Sequence, residues 1–140
     1  MKSIRNEPEI PSGRDIDKLD PIAMLLANQR SLALSQETEG KWSSLDADLM
    51  HATKPSLAII DSLRVVLKAA SESPDSRGAI RQTMAAYERA VSDIRKAHDD
   101  GSRKALDLLT DEPRRTAEKL IQGRREEFDK VTKTRRPESP

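Results

Sequence analysis

The chain has 140 residues, of which 35% are charged and only 2% are aromatic, and its formal net charge is +1 at pH 7. Leu, Ile, Val and Phe together make up about one fifth of the residues, which is too few for a deep core and argues against β-sandwiches with their β-branched and aromatic faces. The near-neutral charge excludes a long-range field for nucleic acid or anionic membranes.

The chain contains no cysteine, so disulfides, thiolate metal sites and cysteine nucleophiles are excluded. Its first residues, MKSIRNEPEIPSGRD, hold no apolar run of signal-peptide length, and no stretch is apolar enough to span a membrane. We therefore expect a cytoplasmic protein with no transmembrane segment.

Residues 1–19 contain two prolines and scattered charge without periodicity, and we expect a disordered N-terminal arm. A helix should begin at Asp20 and Pro21, because aspartate caps free amides and proline presets φ in a first turn. Its apolar positions are interrupted by polar residues, so its middle is poorly suited to a dry core. Gly40 either kinks this helix or lies within it, and we expect it to continue to about His51.

Thr53 and Pro55 predict a restart, because proline is acceptable in a first helical turn. The helix that follows has the most apolar stripe in the chain, and we expect it to be the core helix. The stripe consists of Ile59, Ile60, Leu63, Val66, Leu67 and Ala70. Residues 71–78 collect helix breakers and predict a tight reversal into an antiparallel hairpin.

The third helix has an apolar seam with alternating steps of four and three, typical of coiled-coil packing. The seam residues are Ile80, Met84, Tyr87, Val91, Ile94 and His98. Gly101 either ends this helix or lies inside a longer one, and both alternatives fit the register. Pro113 predicts a bend or restart in the last helix, and residues 134–140 should form a disordered C-terminal tail.

These elements predict an all-α protein, an elongated antiparallel helical hairpin or bundle with coiled-coil character. One helical domain covers residues 20–133, between flexible tails at 1–19 and 134–140. Because the chain is thin in apolar residues, it must oligomerise or lay one helix face on something else. We therefore expect a homo-oligomer.

No residue is predicted to be catalytic, to bind a cofactor or to ligate a metal. His51 and His98 lie far apart in sequence, and we interpret His98 as a structural residue of the seam. Asp99 and Asp100 lack the paired Glu and His spacings of helical metal sites. The remaining charges indicate solvated i, i+4 pairs, namely Glu126 with Lys130 and Arg125 with Asp129.

Arg114, Arg125 and Arg136 recur every eleven residues and would share one face of a continuous helix. Acidic residues interleave with them, and no nucleic-acid signature accompanies them, so we do not predict nucleic-acid binding. Trp42, the single tryptophan, is either a packing anchor or an exposed binding contact, and we favour the anchor.

The order of elements resembles the phasins, small helical proteins that coat polyhydroxyalkanoate storage granules in bacteria. The resemblance rests on the strings A-N-Q-R-S-L-A-L at 27–34, S-P-D-S-R-G before I-R-Q-T-M-A-A-Y-E-R-A-V-S-D-I at 80–94, and D-E-P-R-R-T-A-E-K-L at 111–120. It implies a non-catalytic amphipathic protein that coats granules and self-associates. The resemblance also implies which apolar positions face the granule or another copy: Leu57, Ile60, Leu63, Leu67, Ile80, Met84, Tyr87, Val91 and Ile94.

Two other classes fit the same features. A coiled-coil adaptor or chaperone-like protein would use the seam against a partner helix and would show a fixed stoichiometry with one protein. A small DNA-associated protein using the arginine stripe would show strongly salt-dependent binding.

Overall fold

A computed structural model of the chain describes residues 9–133, and all regular secondary structure in this range is helical. The five helices are α1 (Gly13–Asp17), α2 (Pro21–Ala27), α3 (Gln36–Ser71), α4 (Arg77–Leu106) and α5 (Asp111–Thr132). The predicted all-α hairpin or bundle is therefore confirmed. The predicted C-terminal tail, residues 134–140, lies outside the described residues.

The central unit is the antiparallel hairpin of α3 and α4, the most extensively packed helix pair within residues 9–133. α3 has 36 residues and is about 54 Å long at 1.5 Å per residue. The reversal predicted at 71–78 is confirmed, because α3 ends at Ser71 and α4 begins at Arg77.

Two buried clusters fill the bundle. The first cluster joins α1, the second half of α3, the first two thirds of α4 and the end of α5, with Ile16, Ile60, Tyr87, Ile94 and Phe128 among its members. The second cluster joins α2 to the first half of α3, the end of α4 and the start of α5. Its buried members are Ile22, Leu25, Leu32, Trp42, Leu49, Ala105 and Ala117.

The helix start predicted at Asp20 and Pro21 is confirmed. One Asp20 carboxylate oxygen accepts hydrogen bonds from the backbone N–H groups of Ile22 at 2.8 Å and Ala23 at 3.2 Å. The predicted continuation to His51 is wrong in one respect, because α2 ends at Ala27 and α3 starts at Gln36. The intervening turn buries Leu32, and Ser35 caps α3 through the N–H of Thr38.

The restart predicted at 53–56 is also wrong, because α3 runs without a break through Pro55. Pro55 is exposed, so the carbonyl that loses its helical partner there can bind water, while the opposite side of α3 stays packed. Gly101 lies inside α4, and the restart at Pro113 is confirmed, since Pro113 occupies the first turn of a separate α5.

The predicted disordered arm is wrong for residues 10–19, which pack on the bundle, and residues 1–8 lie outside the described residues. Ile10, Ile16 and Leu19 are buried in the first cluster. The Gly13 N–H donates to an Asp61 carboxylate oxygen at 2.8 Å. A Cβ at position 13 would lie 2.8 Å from the Leu57 carbonyl oxygen, so only glycine permits this approach. Burial of Ile10, Ile16 and Leu19 thus offsets the conformational entropy that this segment loses on ordering. Its composition alone predicted that burial would not be sufficient.

Candidate interaction surface

The nine apolar residues singled out by the sequence come together, but in the interior. Ile60, Leu67, Tyr87 and Ile94 are buried in the first cluster. The other five are partly buried and pack against it: Leu57, Leu63, Ile80, Met84 and Val91. In the folded chain they pack against one another across the hairpin, which leaves them little surface for a granule or another copy. Their use in surface binding stays a prediction.

A different apolar surface lies on the solvent side of α3. At 100° per residue, nine positions between 51 and 69 fall within an arc of about 140° opposite the buried side. All nine side chains are exposed, and none is Asp, Glu, Lys or Arg. This α3 outer face consists of His51, Ala52, Pro55, Ala58, Ile59, Ser62, Val65, Val66 and Ala69.

The α3 outer face is about 27 Å long, because it spans 18 steps of 1.5 Å. Its large side chains are open to solvent: Ile59 is 47% exposed, Val65 71% and Val66 48%. The charged residues of the same stretch, which are Lys54, Asp61, Arg64 and Lys68, fall outside the arc. In a chain that is 35% charged, an exposed and uncharged face over five helical turns is unusual.

Sequence reasoning assigned part of this face to the core. Ile59 and Val66 were predicted to line the core with Ile60 and Leu67, but only the latter two are buried. Two adjacent positions on a helix point about 100° apart, and α4 packs on the side of Ile60 and Leu67, so Ile59 and Val66 face solvent. In the sequence, the α3 outer face is marked by the lack of charged residues along one arc of the helix rather than by the number of apolar residues.

Trp42 is a packing anchor, as predicted. Its side chain is fully buried in the second cluster, and its indole N–H donates to the Ala105 carbonyl oxygen of α4 at 3.1 Å. This bond satisfies the only polar atom of the ring. The residue therefore ties α3 to α4 and offers no contact to an outside partner.

His98 lies on α4 and faces α5 inside the bundle. It is buried, and its ring meets the Phe128 ring edge-on with centroids 5.2 Å apart. Burial lowers the pKa of His98 to about 4, although the nearby Asp46 carboxylate acts in the opposite direction. The imidazole is thus neutral at pH 7 and packs as a core side chain, in line with its structural interpretation.

The arginines of the predicted stripe take part in ion pairs. Arg114 lies 3.3 Å from Glu118 and 3.8 Å from Asp107. Arg125 lies 3.4 Å from Asp99 of α4, and Arg136 lies outside the described residues. The predicted i, i+4 pair of Arg125 with Asp129 is wrong, because Asp129 binds Arg95 of α4. The Arg125–Asp99 and Arg95–Asp129 contacts join α4 to α5, so packing between helices decides the partners.

Other sites are not evident within the described part of the chain. Between residues 9 and 133, no three His, Asp or Glu side chains are grouped so that they could hold a metal ion. None of the helices in that range combines the length and apolar content needed to cross a lipid bilayer. The α3 outer face is consequently the feature that needs a functional explanation.

Comparison with known proteins found no matching family model, no matching curated protein and no matching solved structure.

Proposed function

We propose that this protein is a phasin-like, non-catalytic coat protein that binds the hydrophobic surface of polyhydroxyalkanoate granules in the cytoplasm and self-associates there. The observation that carries the proposal is the α3 outer face, which is exposed, mostly apolar and free of Asp, Glu, Lys and Arg over about 27 Å. An amphipathic helix whose apolar side meets a water-poor surface binds by the apolar area it buries, while the polar sides keep the free protein dispersed.

The magnitude of the expected binding energy supports a coat rather than a permanent anchor. Full burial of a Val or Ile side chain is worth about 1.5–3 kcal/mol, and about half of each large side chain on this face remains available. Ile59, Val65 and Val66 together supply a few kcal/mol, which corresponds to reversible adsorption. Contacts between neighbouring copies would then prolong residence, which is the reason for including self-association in the proposal.

The size of the face favours an extended surface over a specific protein partner. A protein–protein interface of standard size involves about 20–30 residues on each side, whereas the α3 outer face offers nine. The face is the outward side of a single helix, so it presents a narrow strip of side chains. An uncharged polymer surface demands neither complementary shape nor complementary charge.

The test is binding of purified protein to polyhydroxyalkanoate particles by co-sedimentation. The test variant is Ile59→Gln, Val65→Gln and Val66→Gln combined, and the matched control places the same change at three exposed apolar residues elsewhere. The control variant is Met50→Gln, Leu108→Gln and Val131→Gln. Glutamine is compatible with helices, so both variants should keep the helical circular dichroism of the wild type.

We expect the α3 variant to bind at least tenfold more weakly, since a loss of about 1.4 kcal/mol is tenfold in affinity, and the control to stay within about twofold. Equal binding by both variants would show that the α3 outer face is not the surface that binds the polymer. In cells, a fluorescent fusion should form rings around granules. A diffuse signal, together with capture of one partner protein at fixed stoichiometry, would contradict the coat-protein function and favour a helical adaptor.

A further inference from the structure

Two buried titratable side chains, Asp20 and His98, each lie near a third, Asp46, and the three come from different helices. Asp20 stands at the start of α2, Asp46 lies on α3, and His98 lies on α4. Asp20 and His98 are buried, and Asp46 is half-buried. The Asp46 carboxyl lies within hydrogen-bonding reach of the Asp20 carboxyl, and its charge also acts on His98. Asp20 caps α2, but neither the fold nor the proposed surface binding requires a second carboxyl group beside it.

One Asp46 oxygen, Oδ1, is completely buried and has no hydrogen-bond partner among the described residues. Two ionised carboxylates cannot bond to each other, because each is only an acceptor, whereas a single proton between them makes one a donor. We propose that Asp20 and Asp46 share one proton, and that this proton fastens the segment of α1 and α2 to α3 and α4. The proposal is independent of surface binding.

The protonation behaviour of Asp20 agrees with this geometry. Burial, with contributions from the hydrogen bond to Asp46 and from its charge, raises the pKa of Asp20 from 3.8 to about 7. The two backbone N–H groups of α2 act in the opposite direction and do not outweigh burial. Folding therefore keeps a proton at this site that the unfolded chain releases at a much lower pH.

Other charged groups approach from the neighbouring helices. A small cavity beside His98, Leu19 and Pro21 is lined by charged side chains of α4 and α5, namely Arg95, Asp99, Arg124 and Arg125. Arg125 pairs with Asp99, Arg124 lies 3.7 Å from Glu127, and Arg95 binds Asp129. Asp17 and Lys18, before Asp20 in the chain, are exposed. Each of these arginines thus has an acidic partner of its own.

The sign of the pH effect follows from proton counting. The raised pKa of Asp20 stabilises the fold in acid, and this contribution is lost as pH rises from about 4 to about 7. The lowered pKa of His98 acts oppositely: its contribution is present above 6.5 and is lost as pH falls to about 4. Between these limits the folded chain holds the proton on the carboxyl pair and the unfolded chain holds it on the imidazole. The two effects therefore nearly cancel.

The test compares urea unfolding of the full chain between pH 4.5 and 8.5 for the wild type, Asp46→Asn and Asp48→Asn. Asp48 is an exposed carboxylate on the same helix and serves as the matched control. The side-chain amide that Asp46→Asn introduces can donate to an ionised Asp20, so the shared proton is no longer needed. We expect the folding constant of this variant, relative to wild type, to rise with pH by up to about tenfold per unit between 4.5 and 6.5. The folding constant of the Asp48→Asn control should have the same pH dependence as that of the wild type.

His98→Gln should have the opposite pH dependence, with a folding constant that falls relative to wild type as pH rises. The variant lacks the imidazole, whose contribution cancels that of the carboxyl pair in the wild type. A profile of Asp46→Asn parallel to wild type would overturn the proposal. If that variant does not fold, the carboxyl carbon of Asp20 can be titrated by NMR in the wild type. A midpoint near 7 supports the shared proton, and a midpoint below 5 overturns it.

Discussion

Trp42 connects the two long helices of the hairpin through both its ring and its N–H group. The indole is fully buried among residues of α2, α3, α4 and α5, and its hydrogen bond reaches a carbonyl 63 residues away in sequence. A buried polar atom that loses its partner costs more than the net value of the bond. This residue should therefore contribute strongly to stability.

We predict that Trp42→Phe lowers the free energy of unfolding by about 2–4 kcal/mol. The change removes the donor to the Ala105 carbonyl oxygen and leaves a small cavity. Urea unfolding followed by circular dichroism measures the loss, since the variant has no tryptophan fluorescence. His51→Phe, on the exposed side of α3, is the control and should change stability by less than about 0.5 kcal/mol. A loss below about 1 kcal/mol at position 42 would contradict the anchoring role.

At the scale of elements, the long helices contain residues that ordinarily weaken helices. α3 includes Gly40 and Pro55, α4 includes Gly101, and α5 includes Gly123. These helices persist because packing on the buried side outweighs local propensities of about 1 kcal/mol for glycine and about 3 kcal/mol for proline. The glycines differ in what surrounds them.

We predict that Gly40→Ala and Gly123→Ala each raise the free energy of unfolding by about 0.5–1 kcal/mol. A Cβ at either position meets no atom within 4 Å, so only the gain in helix propensity remains. At Gly101 a Cβ would lie 3.1 Å from the Ile22 side chain, so Gly101→Ala should gain less or lose stability. Thermal unfolding of the three variants checks the order, and a Gly101 variant more stable than the other two would contradict it.

At the scale of the whole molecule, the apolar residues divide into an interior set and the α3 outer face. The interior set holds the helices together, whereas the outer face has no partner within the described chain. Changes in the two sets should therefore affect different properties. Ile94 is 1% exposed and Val66 is 48% exposed, which makes them a suitable pair.

We predict that Ile94→Ala lowers the free energy of unfolding by about 2–4 kcal/mol, because it opens a cavity in the first cluster. Val66→Ala should change it by less than about 0.5 kcal/mol, since this side chain is largely solvated. Urea unfolding gives both values. Equal losses would mean that the outer side of α3 is packed in solution, for example against another copy of the chain.

Local sequence signals were enough to predict the helical class, the start of α2, the reversal between α3 and α4, and the anchoring role of Trp42. Each depends on chemistry confined to a few neighbouring residues: the cap at Asp20, the breakers at 71–78 and the burial preference of a single large ring. The seam of α4 was also predictable, because a period of 3.5 selects one helix face.

Local signals could not predict which side of α3 is buried, whether α3 continues through Pro55, or where residues 10–19 pack. α3 carries apolar residues on both sides, so periodicity does not choose between them, and α4 makes the choice by packing along Ile60 and Leu67. The proximity of Asp20, Asp46 and His98 depends on three separate helices. Contacts between residues far apart in the chain determine such features, and local propensities do not encode them.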